Sequence, residues 1–376
     1  MGVSFVEGAV RVRVPATSAN LGPGYDSLGL ALGLYDDVAA WVTAGGCHVD
    51  VAGEGAGELP TGADHLVVRA MEAAFDRLGG RPPGLAVECV NRIPQARGLG
   101  SSSAAIVAGI QLARALVVDG TTLLDDDGAL ELAAEIEGHP DNVAPCLLGG
   151  FVIAWSDATD PRFAAGRPPA GGHPVDGFAS ANSSAGSADG GGGQVVGGLV
   201  SGSAGGADST AEGGVAAGGG RRWRAVRLEP AAGIRPTVFV PADRGLTAEA
   251  RAALPGSVPH GDAAFNAGRA ALLVHALTAV PDLLFPATAD RLHQGYRSPG
   301  MPATAALVDE LRRHGVAAVV SGAGPTVLAL TRPPDAALPG IEWQTVELVI
   351  DVSGARISSG RLGHAERAPV AAGRKS

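Results

Sequence analysis

Between about residues 164 and 220 the chain is almost wholly glycine, alanine and serine, with runs such as Gly190-Gly191-Gly192-Gly193 and Gly218-Gly219-Gly220. So few apolar side chains cannot offset the conformational entropy lost on ordering the backbone. The composition predicts a disordered insertion over 164–222, which leaves residues 1–163 and 223–362 to build cores and 363–376 as a frayed tail. With 376 residues and 46% hydrophobic positions, two lobes are the expected arrangement.

Periodicity gives both lobes strands and helices. Val10 to Val14 alternates with Arg11 and Arg13 as a half-buried strand does, and Pro15 is expected to end it. Leu28 to Leu34 and Asp37 to Thr43 read as two strands about a turn at Tyr35-Asp36, and Leu85 to Val90 and Phe151 to Trp155 as two more. Helices are expected over His65 to Leu78, Ser102 to Val118 and Gly128 to Glu137. Beyond the insertion, Trp223 to Leu228 and Pro236 to Val240 read as strands opening the second lobe. Helices follow near Thr247 to Leu254, Asp262 to Leu277 and Ala303 to His314, with strands at Val316 to Val320, Val327 to Leu330 and Glu347 to Val352. The mixture implies an α+β fold rather than a regular doubly wound sheet.

Several function classes drop out. A net charge of -10 supplies no concentrated basic face, so nucleic acid is not an expected partner. No apolar run reaches the roughly 18 residues that a membrane span needs, and no secretory signal is visible. Cys47, Cys89 and Cys146 are too few and too scattered for a disulfide framework or zinc site, which predicts a cytoplasmic protein. Lys375 is the single lysine, so no lysine ammonium is available inside a site. Any bound phosphate must be held by backbone amides, hydroxyls, arginine or a metal ion.

One segment is built for that task. In Pro94-Gln95-Ala96-Arg97-Gly98-Leu99-Gly100-Ser101-Ser102-Ser103-Ala104-Ala105, Gly98 and Gly100 permit positive φ, and Ser101 is the expected cap of the apolar helix that follows. Amides and dipole at that helix start favour an anion.

Three further segments complete a pattern. Pro15-Ala16-Thr17-Ser18-Ala19-Asn20-Leu21-Gly22-Pro23-Gly24-Tyr25-Asp26 precedes the glycine turn; His139-Pro140-Asp141-Asn142-Val143-Ala144-Pro145, with Gly149-Gly150-Phe151, and then Ser321-Gly322-Ala323-Gly324-Pro325-Thr326 follow it. In this order they resemble the motifs of the GHMP small-molecule kinases, in the form carried by its homoserine-kinase branch. The resemblance spans nearly the whole chain outside the insertion and tail. It implies a two-lobed fold, with an N-terminal lobe of the ribosomal protein S5 domain 2 type and a ferredoxin-like α/β-sandwich C-terminal lobe. The implied reaction is transfer of the γ-phosphate of ATP to the hydroxyl of L-homoserine, and the implied assembly is a homodimer.

Carried onto this sequence, the resemblance assigns the triphosphate to residues 94–104 and Mg2+ to Ser102 and Glu131, with Ser101 or Ser103 as alternatives in the serine run. It places Arg251, beside Thr247, and Arg297 on the substrate carboxylate. Asp26 would meet the ammonium, with Asn20, His139 and Asn142 orienting the remainder. Asn142 is expected to position the attacking hydroxyl, and Asp26 is the alternative as general base. Asp64-His65-Leu66 departs from the family, whose members often carry asparagine before the leucine, so the base contacts stay open. Another GHMP kinase or a silent nucleotide-binding regulator are the rival readings; the lack of an interior lysine weighs against mevalonate.

Overall fold

Buried Val10, Val12 and Val14 alternate with partly exposed Arg11 and Arg13 along β1 (Val10–Ala19), so the strand presents an apolar face to the core. In a computed structural model, which describes residues 3–157, 222–245 and 247–362, β1 does not stop at Pro15. It pairs antiparallel with β2 (Leu28–Val42) from Val10↔Ala40 to Ala19↔Gly29, with a register shift between Pro15 and Ala16. Proline lacks the N–H that a ladder needs, and the shift absorbs the gap. The bulge leaves Gly33 and Leu34 between paired Leu32 and Tyr35, and Gly33 donates instead to the Val349 carbonyl at 2.8 Å. The expected turn at Tyr35-Asp36 is therefore a bulge within one continuous strand.

The first sheet has seven strands, with β11 (Arg356–Ser359), β1, β2, β4 (Gly84–Asn91) and β3 (Gly46–Gly53) in that order and β5 (Phe151–Asp157) and β6 (Arg222–Leu228) added through β2. Parallel β3 and β4 are joined through α1 (Leu66–Leu78). Four helices follow β4: α2 (Ser101–Leu116), α3 (Gly120–Leu123), α4 (Asp126–Glu137) and α5 (Pro140–Leu148). Helix α2 packs on α1 and β1, with Ile106, Ile110 and Leu112 fully buried near Met71 and Phe75 in one core.

Two expectations about the second lobe are corrected. Trp223 to Leu228 does not open it: β6 pairs with β5 from Phe151↔Leu228 to Asp157↔Arg222 and so belongs to the first sheet. Apart from Arg222, the expected insertion lies outside the described residues, as does the tail. The second sheet is four-stranded and antiparallel, ordered β10 (Trp343–Glu347), β7 (Thr237–Pro241), β9 (Val327–Ala329) and β8 (Ala318–Val320). Glu347 ends β10 rather than starting a closing strand, and Ile350 crosses to bridge Leu32. Around this sheet lie α6 (Thr247–Ala252), α7 (His260–Thr278), α8 (Leu284–Ala287), α9 (Gln294–Arg297) and α10 (Pro302–Arg313), the last packed on β8 and β9.

A buried charge cluster ties β1, β2 and β4 together. Asp37, with a side chain 0% exposed, accepts from Arg11 at 2.8 Å, Arg13 at 2.9 and 3.0 Å, and Arg92 at 2.9 Å. Burial alone would raise its pKa, but the guanidinium hydrogen bonds, Arg13 first, outweigh it and bring it down from 3.8 to about 2. A folded pKa below the unfolded one stabilises the fold above that unfolded value and is lost as pH falls toward about 2, a contribution of about 2 kcal/mol. Asp37→Asn is therefore expected to cost about 3 kcal/mol at neutral pH and to flatten the acid limb of a stability curve measured by urea unfolding. An unchanged midpoint would contradict the role given to the cluster.

Candidate active site

The loop from β4 to α2 is held by close backbone approach. Ala96, Gly98 and Gly100 all have positive φ, and a Cβ on Gly98 would lie 2.2 Å from the Ser321 carbonyl oxygen, one on Gly100 2.0 Å from Thr17 Oγ1. The Ser321 hydroxyl donates to the Gly98 carbonyl at 2.6 Å, and Thr326 N–H to Arg97 O at 3.3 Å. The first, second and third glycine-rich segments thus interlock at one point. Gly100, not Ser101, is the N-cap of α2, in the left-handed conformation and with no side-chain cap bond. Ser101 is the first helical residue, because a residue at φ 71° without a Cβ does what a capping side chain was expected to do. The first-turn amides of such a helix have no intrahelical acceptors.

Arg97, expected among the phosphate-binding residues, spends its side chain elsewhere. Its guanidinium donates to the carbonyls of Pro241 at 2.9 Å, Gln95 at 3.1 Å and Ala242 at 2.8 Å, clamping the loop to the end of β7. Within the loop only its backbone is placed to serve a ligand.

The carboxylate facing the serine run is Glu137, not Glu131. Glu137 Oε1 accepts from Ser102 Oγ at 2.7 Å and Ser103 Oγ at 2.9 Å. Helix α4 starts from its Asp125 cap and stops at Gly138, so its last turn meets the start of α2. Glu131, six positions earlier, stands about 9 Å back along the axis and about 240° around it, and it is not among the residues lining the cleft. Among the described residues no group of three His, Cys, Asp or Glu is placed to hold a metal. One carboxylate with neighbouring hydroxyls is nevertheless a fitting set for a hard cation that takes its other ligands from phosphate and water.

Beside the loop lies a polar cleft of ≈ 80 Å³. Asn20, Asp26, His139, Asn142, Thr247, Arg251 and Arg297, scattered over both lobes in sequence, all line it. Arg251 grips Asp26 with both arms, at 2.9 and 3.1 Å, and reaches Tyr25 Oη at 3.2 Å. Arg297, 4% exposed, donates to Ala250 O at 3.0 Å and lies 3.2 Å from His293 Nδ1. The other His293 nitrogen, Nε2, donates to Gly22 O at 2.7 Å, and burial lowers the imidazole pKa, so Nδ1 is left as the acceptor for Arg297. Burial also lowers the Arg297 pKa, yet a guanidinium so placed stays charged.

Asn20 sits on the cleft wall with its amide engaged: Nδ2 donates to Gly322 O at 2.9 Å and Oδ1 accepts from Asp26 N–H at 3.0 Å. It shapes the Asp26 turn, where Asp26 itself has φ 53°. Two residues absent from the expected set complete the site. Thr17 Oγ1 donates to Asn142 Oδ1 at 2.8 Å, fixing that amide, and buried Asp141 holds His139 Nδ1 at 2.6 Å. Burial opposes charge on His139, but Asp141 and Glu137 outweigh it and raise its pKa. The His-x-Asp spacing in residues 139–141 was the signal available for Asp141; Thr17 had none beyond its place in the first motif.

A second cavity, ≈ 330 Å³, opens on the other side of the loop and shares Ala96, Ser101 and Ser102 with the cleft. Val38, Leu59, Pro60 and Val67 give it apolar walls.

Comparison with known proteins agrees with this geometry. Residues 65–150 match the GHMP kinases N terminal domain, and residues 269–338 the GHMP kinases C terminal domain. The sequence is 50% identical over 360 residues to the homoserine kinase of Streptomyces coelicolor, covering 95% of this chain and 96% of that one. It is 42% identical over 358 residues to the homoserine kinase of Clavibacter michiganensis, covering 93% of each. The crystal structure of homoserine kinase from Cytophaga hutchinsonii has a similar fold, with a TM-score of 0.65 at 21% identity over 95% of this chain and 100% of that one.

Proposed function

The chain belongs to the homoserine kinase family of the GHMP kinases and is an ATP-dependent kinase of homoserine; we propose that the transfer takes place in the cleft between Asp26, Arg251 and Arg297. The observation that carries this reading is the two-pronged Arg251–Asp26 pair beside buried Arg297, opening on the same cleft as Ser102 and Glu137. A zwitterion entering such a pair exchanges partners without leaving a charge uncompensated: its carboxylate takes the guanidinium groups and its ammonium takes Asp26. Two guanidinium groups suit the planar carboxylate. The side-chain hydroxyl then lies toward Asn142, whose amide Thr17 holds in one orientation.

Phosphates are held by the amides at the start of α2 and the serine hydroxyls. Ser102 and Glu137 would hold Mg2+, which supplies charge neutralisation on the phosphates when bound. Asp26 is poorly suited as a base, because both its oxygens are engaged by Arg251. Phosphoryl transfer has a loose transition state, so alignment of the hydroxyl and neutralisation of charge suffice, and the proton passes to phosphate. The apolar second cavity is assigned to the nucleoside.

A homodimer and a cytoplasmic location are part of the same proposal. Among the described residues no helix is long and apolar enough to cross a membrane. Coupled ADP release with L-homoserine, mevalonate and galactose offered in parallel tests the substrate: turnover is expected with homoserine alone. Turnover with mevalonate and none with homoserine would overturn it.

A further inference from the structure

We propose that Asp36 and His65 read the base of the bound nucleotide, Asp36 by accepting an N–H and His65 by donating to a ring nitrogen, so that a 6-aminopurine is taken and a 6-oxopurine refused. The inference rests on the assignment of the second cavity to the nucleoside. Both residues line that cavity and both are buried, Asp36 at 7% and His65 at 3% exposure.

Each has one polar atom fixed by the protein and one left over. Asp36 Oδ1 accepts from the backbone N–H groups of Arg92 at 2.6 Å and Ile93 at 2.9 Å, which locks the carboxylate in place. Among the described residues no donor reaches its Oδ2. His65 caps α1, its Nδ1 accepting from Val67 N–H at 3.3 Å. That places the proton on Nε2, which is buried and has no partner among the described residues. Burial also lowers the His65 pKa, which keeps the ring neutral with a single N–H.

A buried donor without a partner is costly, and proteins seldom keep one without a use. Here the cavity wall carries one such donor and one spare acceptor, in a lining that is otherwise largely apolar, and the phosphate loop adjoins it. An aminopurine offers the matching set, an exocyclic N–H and ring nitrogen acceptors. A 6-oxo group would instead set its oxygen against the carboxylate.

The test compares ATP, ITP and 2′-deoxy-ATP as phosphate donors. Wild-type kcat/KM is expected to favour ATP over ITP on the order of 10²-fold, with deoxy-ATP close to ATP. Asp36→Asn keeps an oxygen for the two backbone N–H groups and turns the other end into a donor, so the ATP-to-ITP ratio should shrink by about tenfold or more. His65→Asn, which retains a capping oxygen, should raise the KM for ATP and leave that for homoserine unchanged. Ala105→Trp, which fills the cavity, should raise the KM for ATP with either base reader intact. An unchanged KM in Ala105→Trp would remove the nucleoside from this cavity and the proposal with it. A raised KM there together with equal use of ATP and ITP by the wild type, or discrimination against deoxy-ATP alone, would sink the base reading and leave the cavity assignment standing. The wild-type comparison decides even where a variant does not fold.

Discussion

Glu137→Gln is expected to lower kcat on the order of 10²-fold or more, while Glu131→Gln stays within about twofold of wild type. Glutamine preserves an oxygen that accepts from Ser102 and Ser103, so the packing of α4 against the start of α2 survives. What disappears is the negative charge beside the loop, and with it the one carboxylate suited to neutralise a bridging cation at the phosphates. The deficit should be partly relieved by raised magnesium, because a weakened ligand lowers occupancy before it changes geometry. Initial rates at varied Mg2+ and ATP for the two variants separate the carboxylates. Equal losses in both, or a loss confined to Glu131→Gln, would return the role to the earlier position in the helix.

The second large effect falls on the acceptor side. Arg297→Lys is expected to raise the KM for homoserine by about 10- to 100-fold, with the KM for ATP little changed. A lysine ammonium is a point charge on a flexible stem and cannot reproduce a planar fork. Here the fork does two jobs, since its Nε and one terminal nitrogen reach Ala250 O at 3.0 Å and His293 Nδ1 at 3.2 Å while the side chain also lines the cleft. Arg251→Lys should act in the same direction but less, because Arg251 is 40% exposed and its pairing with Asp26 is screened by water. A homoserine KM that is unaltered in Arg297→Lys, in a variant with the wild-type unfolding midpoint, would take Arg297 out of the substrate pocket.

How much of this could be read from the chain follows from how local each signal is. The loop of residues 94–105 was legible because a glycine turn before a serine-rich helix start is written in consecutive residues, and Gly98 and Gly100 do adopt positive φ. Arg251 and Arg297 were legible as charges within recognisable segments, and the structure brings both to one cleft. Glu137 was not, because which turn of α4 faces α2 depends on how two helices pack, and the spacing of carboxylates along α4 does not record that. The side chain of Arg97 misled for the same reason: its partners, Pro241 O and Ala242 O, lie in the other lobe.

Strand boundaries failed where a bulge intervened. Pro15 and the Tyr35-Asp36 step look like ends in one dimension, but a register shift carries both strands past them. Membership of a sheet is equally non-local. β6 and β11 follow the insertion and close the chain, yet they hydrogen-bond to β5 and β1, and nothing in their own alternation says so. Asp36 and His65 were visible as residue types at a turn and a helix start. Their burial together on one cavity wall was not.

The most direct test of the account is a crystal structure with a non-hydrolysable ATP analogue, Mg2+ and L-homoserine. The account predicts the metal on Glu137 and Ser102 with Glu131 remote, the phosphates on the first-turn amides of α2, and the amino acid with its carboxylate on Arg251 and Arg297 and its ammonium on Asp26. A metal held at Glu131, or homoserine bound away from the Asp26–Arg251 pair, would contradict it.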